Sequence, residues 1–361
     1  MNVIPRLGLS IKQLLLPFAA ITTASMLSPS VSAESLQEQQ RRYQQAWQHA
    51  NGPLVQTPPD RLAAFLDKQA SNPPGAYDTL SAREGLAALT KANVTTSDPM
   101  AAVLNAEVDT GERRIPVRIY RPTLQGKQDV LLFIHGGGHL SGSVEVYDPI
   151  ARHLATATGN TVISVDYRRA PESPYPQGLS DARAVTEQVW ALLDRLHIPY
   201  QRQLTVVGDS GGGAFSATLA QAFSRTHPGL IKRLVLIYPS LDYTLTWPSV
   251  KENGTGKLLD ESKIRWYFHQ YFQHDEDRQL ASPLYLPVSN DFPETLVFSA
   301  GLDPLRDEGF AFVARLKAAG VPVMHRHFPG MVHAWLMLED KVPEEARTTY
   351  QAIGEFVRHS R

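Results

Sequence analysis

The chain has 361 residues, 35 basic and 36 acidic side chains for a formal net charge of −1, 12 histidines and no cysteine. With no basic excess, nothing supports a nucleic-acid partner. The missing thiols exclude disulfides, a thiolate nucleophile, thiolate metal sites and a lipoprotein anchor, so an exported form needs a self-sufficient core.

The first stretch, MNVIPRLGLSIKQLLLPFAAITTASMLSPSVSA, has Arg6 and Lys12, an apolar run from about Leu14 to Leu27, and Val31-Ser32-Ala33 in small-x-small form. This is the layout of an export signal cut after Ala33, and the run is too short and interrupted for a membrane span. The expectation is a periplasmic or secreted protein beginning at Glu34, without a stable membrane anchor. Residues 34–361 carry 33 basic against 36 acidic side chains.

Residues 34–100 read as a set of rather polar cap helices. Leu36, Tyr43, Trp47 and Ala50 fall at helical spacing, and Leu62, Phe65 and Leu66 mark a second helix after Pro58-Pro59-Asp60. Ser81 and Glu84 have capping-box spacing and predict a third. Stripes this thin must lie over something larger.

From residue 101 to the end the pattern is that of one α/β domain. NAEVDTGERRIPVRIYRP predicts a hairpin around Thr110-Gly111. Short apolar runs follow at Val130–Ile134, Thr161–Val165, Leu204–Val207, Leu234–Tyr238 and Thr295–Ser299, with a last strand over Pro322–Phe328. Helical faces lie between them: Val185, Val189, Leu192, Leu193 and Leu196; Val313 and Leu316; and a closing Tyr350, Ile353 and Val357. Continuous apolar strands alternating with amphipathic helices predict a mostly parallel sheet covered on both faces. Residues 240–290, rich in aromatics and loop residues, interrupt the alternation and read as a cap insertion.

Gly208-Asp209-Ser210-Gly211-Gly212 fits two unrelated serine-hydrolase loops. An apolar strand precedes Ser210 and the Ala-rich GGGAFSATLAQAF follows, so the turn is strand-to-helix, and 151 residues remain downstream to supply an acid and then a base. Both features favour the G-x-S-x-G nucleophile elbow over the all-β protease loop. Upstream, His135-Gly136-Gly137-Gly138 directly follows a strand, and consecutive glycines leave backbone N–H groups open to a developing oxyanion. The expected oxyanion hole is Gly137, Gly138 and Gly211, with His135, Gly136 and Asp209 supporting it. Dinucleotide and P-loop fingerprints and H-E-x-x-H do not occur, so no cofactor or metal is expected.

Four motifs in order, His135-Gly136-Gly137-Gly138, DYRRAPESPYP at 166–176, GDSGGG at 208–213 and DPLRDEG at 303–309, together with GMVHAW at 330–335, make the chain from about residue 105 onward similar to the hormone-sensitive-lipase-like α/β-hydrolases. The resemblance implies an α/β-hydrolase fold with a helical cap and a short-chain carboxylesterase. Two departures bear on substrate preference: His139 stands where an aromatic often follows the glycines, and Ala334-Trp335 where Gly-Phe is frequent. His139 and Trp335 are therefore expected to line the substrate pocket.

Asp303, just after TLVFSAG and in the family motif, is the expected acid, and His333, in a loop after Pro329-Gly330, the expected base. His325 and His327 read as ordinary strand residues, and Asp307 and Glu308 as first-turn acids complementing a helix dipole. Asp166, Asp209 and Glu172 read as loop bracing, helix-cap support and an internal polar contact. The expectation is a Ser210-Asp303-His333 esterase acting on a small-molecule ester, as monomer or homodimer. An amidase, carbamate hydrolase or carbohydrate deacetylase on the same triad, or a non-catalytic ligand-binding homologue, are the alternatives.

Overall fold

One edge of the sheet is a hairpin whose turn needs glycine. Strands β1 (Ala102–Asp109) and β2 (Arg114–Arg121) pair antiparallel with Asp109 opposite Arg114, and Gly111 turns the chain at φ +81°. In the computed structural model, which describes residues 34–71 and 75–359, six further strands follow: β3 (Gln128–Ile134), β4 (Thr161–Val165), β5 (Tyr200–Asp209), β6 (Ile231–Ile237), β7 (Glu294–Leu302) and β8 (Val323–Val332). Their order is β1-β2-β4-β3-β5-β6-β7-β8. β2 meets β4 antiparallel, and every later pairing is parallel. The parallel alternation expected from the sequence is present. The expected export signal, residues 1–33, lies outside the described residues.

Period-two alternation sends successive side chains to two different cores. Leu131, Phe133, Val207, Val235 and Phe298 pack with Ile150 and Leu154 of α4 (Asp148–Thr158) and Ile353 and Phe356 of α11 (Pro343–His359). Leu132, Ile134, Val206, Leu234 and Val297 pack with α5 (Gln177–Arg195), α6 (Ser210–Thr226) and α10 (Arg306–Ala318) through Val185, Val189, Leu219, Phe312 and Val313. Both faces are dry, which is why these strands read as unbroken apolar runs. Helix α4 carried no expectation of its own, because its apolar face is only Ile150, Ala151, Leu154 and Ala155 in a short span.

Three helices precede the sheet: α1 (Leu36–Asn51), α2 (Asp60–Ala70) and α3 (Thr79–Asn93). The capping box expected at Ser81 is displaced by one turn, for Asp78 is the N-cap and accepts from the Ser81 N–H at 2.9 Å. The insertion holds α7 (Pro248–Glu252), α8 (Glu261–Tyr271) and α9 (Arg278–Ala281).

Helix α1 lies along α10, with Tyr43 and Trp47 against Phe310 at ring distances of 5.8 and 6.0 Å. His325 and His327 of β8 are more than ordinary strand residues. His327 Nε2 donates to the Leu54 carbonyl at 2.8 Å, which leaves Nδ1 to accept from Ser299 Oγ at 2.7 Å. Ser299 in turn accepts from His325 Nε2 at 2.7 Å, and His325 Nδ1 accepts from the Tyr43 hydroxyl at 3.1 Å. Each ring in this chain is neutral, and burial holds the His327 imidazole down to about 4 and that of His325 well below its ordinary value. An imidazole depressed in the folded state contributes stability in full above its unfolded value near 6.5, and that stability is lost as pH falls from there toward 4. Between pH 6.5 and 5, His327 alone should cost about 2 kcal/mol. Urea unfolding at pH 7 and 5 should show this loss in the native chain and a smaller one in His327→Gln, which cannot titrate; equal losses would refute the assignment.

Candidate active site

β5 ends at Asp209 and α6 begins at Ser210, so the chain reverses with no residue between them. Ser210 takes up the bend at φ +50°, a left-handed conformation that costs an L-residue roughly 1–3 kcal/mol. The bend closes only because its neighbours lack side chains. A Cβ on Gly208 would lie 2.3 Å from the Gly212 carbonyl oxygen, and one on Gly212 would lie 2.0 Å from that of Ile134. The first-turn N–H groups of α6, Gly211 among them, open beside the Ser210 hydroxyl.

The His135–Gly138 loop leaves β3 alongside this elbow. Gly137 and Gly138 adopt φ +106° and +63°, and among the described residues their N–H groups donate to nothing. The Gly137 carbonyl accepts from Ser141 N at 2.8 Å, closing the loop on itself. His135 is fully buried between Tyr147 and Tyr167, with ring distances of 5.1 and 4.5 Å, and its Nδ1 donates to the Gly136 carbonyl at 2.9 Å. It braces the loop, as expected. Asp209 does something other than support the helix cap: its carboxylate accepts from Gly136 N–H at 2.7 Å and from the Tyr147 hydroxyl at 3.1 Å. Burial pushes that carboxyl up to about 7 against these two hydrogen bonds, which favour its charged form. Asp209 thus ties the glycine loop to the elbow across 73 residues of sequence.

Asp303 and His333 arrive from the ends of β7 and β8. His333 Nε2 lies 2.8 Å from Ser210 Oγ, and its Nδ1 donates to Asp303 Oδ2 at 2.9 Å. The other carboxylate oxygen of Asp303 accepts from Leu305 N–H at 2.8 Å. Both side chains are buried, at 4% and 1% exposure. The insertion holds the acid loop: Asn253 donates to the Gly301 and Asp303 carbonyls at 3.2 and 3.1 Å, and Ser249 Oγ to that of Pro304 at 2.7 Å. Asp307 and Glu308 go beyond complementing a dipole, since they accept from the backbone N–H groups of Ser249 and Leu241 at 3.0 and 2.6 Å. These contacts between distant segments carried no sequence signal.

Two chambers flank Ser210. The larger, about 110 Å³, is lined by Leu86 and Leu89 of α3, Leu258, Lys263 and Tyr267 of the insertion, and His333. The smaller, about 30 Å³, lies past Gly138 and Gly211 against His139, Ser240, Ile264 and Leu305. His139 lines a chamber as expected; Trp335 does not. The Trp335 indole is fully buried, edge-on to Tyr238 at 4.6 Å with its N–H donating to Thr349, while its neighbours Ala334 and Met337 face the larger chamber. The reason is a left-handed turn at Ala334, φ +59°, which swings the following side chain into the core. Glu172 is exposed rather than internal and pairs with Arg83 of α3 at 2.6 Å. Arg83 also donates to the Leu140 and Ala170 carbonyls at 2.9 Å each, fastening α3 to the glycine loop. Asp166 is half-buried beside Arg169 at 3.6 Å, in keeping with loop bracing.

The family model described as the α/β-hydrolase fold matches residues 131–337. The chain is 35% identical to the ethyl acetate hydrolase of Pseudomonas putida, covering 68% of this chain and 79% of that protein. It is equally identical to the carboxylesterase NlhH of Mycobacterium tuberculosis, over 68% of this chain and 78% of the relative. Among solved structures, a hyperthermophilic esterase from the archaeon Pyrobaculum calidifontis superimposes with a TM-score of 0.77 at 29% identity, covering 84% of this chain and 99% of that one.

Proposed function

Since the chain belongs to the hormone-sensitive-lipase-like α/β-hydrolases and is a carboxylic ester hydrolase, we propose that Ser210 is its nucleophile, His333 its base and Asp303 the group that orients the imidazole. His333 Nε2 takes the Ser210 proton as Oγ adds to the ester carbonyl. The negative charge on the carbonyl oxygen is received by the N–H groups of Gly137, Gly138 and Gly211, and Asp303 stabilises the imidazolium. The proton then passes from His333 to the alcohol oxygen, the alcohol leaves, and water repeats the sequence on the acyl-enzyme with His333 again as base.

The observation that carries this reading is the unbroken hydrogen-bond chain Ser210–His333–Asp303, at 2.8 and 2.9 Å, beside unclaimed backbone N–H groups. Because the general acid must reach the leaving oxygen, the chamber that His333 lines takes the alcohol, and the smaller one the acyl group. A 30 Å³ acyl chamber limits the acid to a few carbons. Helices α3 and α8 serve as the cap over the alcohol side, and residues 1–33 as an export signal.

One measurement tests these assignments together. A fluorophosphonate reacted with protein purified from an exporting host should add one phosphonyl group, mapped to Ser210, to a chain whose mass begins at Glu34. Adducts elsewhere, or no adduct with an intact fold, would remove the nucleophile; a retained Met1 would remove the export signal.

A further inference from the structure

We propose that Gly85 of α3 keeps open a passage from the larger chamber to an outer groove, through which the alcohol chain of the ester leaves the site. The substrates are then esters of a short acid with a long, apolar alcohol. This rests on Ser210 being the nucleophile and on the alcohol lying on the His333 side, and it names that alcohol.

The larger chamber holds about 110 Å³, well under the roughly 300–1,000 Å³ of an ordinary small-molecule site. Four of its lining residues, Gly85, Leu89, Leu258 and Lys263, also line a groove of about 590 Å³ beside Ala76, Tyr77 and Ala82. Between the two spaces Gly85 leaves a gap, for an added Cβ there would meet no heavy atom within 4 Å among the described residues. The smaller chamber shares no lining residue with the groove. Only the alcohol side therefore opens onto it.

Glycine at 85 has no structural cause. It stands in the interior of α3 (Thr79–Asn93), where glycine weakens a helix relative to alanine or leucine. Its backbone lacks the positive φ that would exclude a side chain, and no neighbour would be struck by one. Helical spacing gives the direction of the missing side chain. Ala82 and Leu89, at i−3 and i+4, share its face, and both line the groove. A side chain at 85 would thus project over the passage. Along this path lie Leu86, Leu89 and Leu258, with Ala76 and Ala82 beyond, so it suits methylenes. Asp78 and Asp260 at the groove already accept from the backbone N–H groups of Ser81 and Gly256, each at 2.9 Å.

The test compares kcat/KM for ethyl acetate, octyl acetate and ethyl octanoate, read in a pH-stat below their solubility limits. Octyl acetate and ethyl octanoate are isomers, with the long chain on the alcohol or on the acid. Octyl acetate should exceed each of the other two by roughly tenfold or more, since burying one methylene is worth up to about fourfold. In Gly85→Leu the octyl-to-ethyl acetate ratio should fall to about one, with Gly85→Ala between. Each ratio is internal to one variant, so a general change in activity cancels. Leucine and alanine favour helix and meet no neighbour at 85, so both variants should unfold at higher urea than the native chain. That rise separates a plugged passage from a damaged fold. Four results would each overturn the passage and leave Ser210 as nucleophile: no native preference for octyl over ethyl acetate, a preference for ethyl octanoate over its isomer, a ratio unchanged in Gly85→Leu, or a lower urea midpoint in both variants. Turnover of none of the three esters by the native protein would count against Ser210 and take the passage with it.

Discussion

Ser210→Ala should lower kcat/KM for p-nitrophenyl acetate by about four to six orders of magnitude with no loss of folding stability. The size follows from the two-step mechanism, because without Oγ no acyl-enzyme forms and only the polarising N–H groups remain. Stability should hold because the hydroxyl's partner, His333 Nε2, stays partly reachable by solvent through the larger chamber. Strain at this residue allows a second, independent reading. At φ +50° serine and alanine are equally disfavoured, whereas glycine is not, so Ser210→Gly should be as inactive as alanine yet more stable by about 1 kcal/mol. Urea denaturation together with an ester assay on the two variants separates the effects. Residual turnover in Ser210→Ala above about a hundredth of native would place the nucleophile elsewhere.

The elbow was legible in the sequence because its requirements are local. A strand, a one-residue reversal and a helix start need small residues at fixed offsets, and Gly208 and Gly212 stand at those offsets because any Cβ there would strike a carbonyl or hydroxyl oxygen. The apolar cores of β3 to β7 were legible for a similar reason, since strand segments buried on both faces must be apolar throughout. What the sequence did not reveal is where a polar side chain reaches across the fold. Asp209 sits at a helix start and looks like a cap, but its carboxylate turns to Gly136. Trp335 sits two residues from His333 and looks like a pocket residue, but the backbone at Ala334 turns it inward. Asp78 rather than Ser81 caps α3, a shift of one turn that spacing could not resolve because both residues cap well. The chamber residues Ser240 and Tyr267 come from an insertion whose path over the sheet no periodicity encodes. The glycine at 211 and the histidine at 139 are coupled, for a Cβ at Gly211 would press on the His139 ring at 3.1 Å, tighter than ordinary contact.

Asp303→Asn should reduce kcat at neutral pH by about ten-thousand-fold while barely altering the fold, and the reason lies in which way the new amide must face. In the native chain one carboxylate oxygen accepts from Leu305 N–H and the other from His333 Nδ1–H, so both neighbours are donors. An asparagine has a single acceptor oxygen to offer them. If that oxygen faced His333, the amide NH2 would meet the Leu305 N–H, donor against donor, in a buried loop further fixed through Asn253. The oxygen therefore turns to Leu305 and the NH2 turns to His333, where it donates to a bare Nδ1. The imidazole proton is then held on Nε2, the nitrogen that faces Ser210 Oγ at 2.8 Å, and the ring has no lone pair left to accept the serine proton. Phosphonylation of Ser210 should slow in parallel, since it uses the same proton transfer, whereas urea stability should change by no more than about 1 kcal/mol, as one buried hydrogen-bond pattern replaces another. A variant that keeps a tenth of native turnover would mean that Asp303 does not set the tautomer, and that the ring is oriented by its contact with Tyr238, 5.0 Å away between centroids, instead.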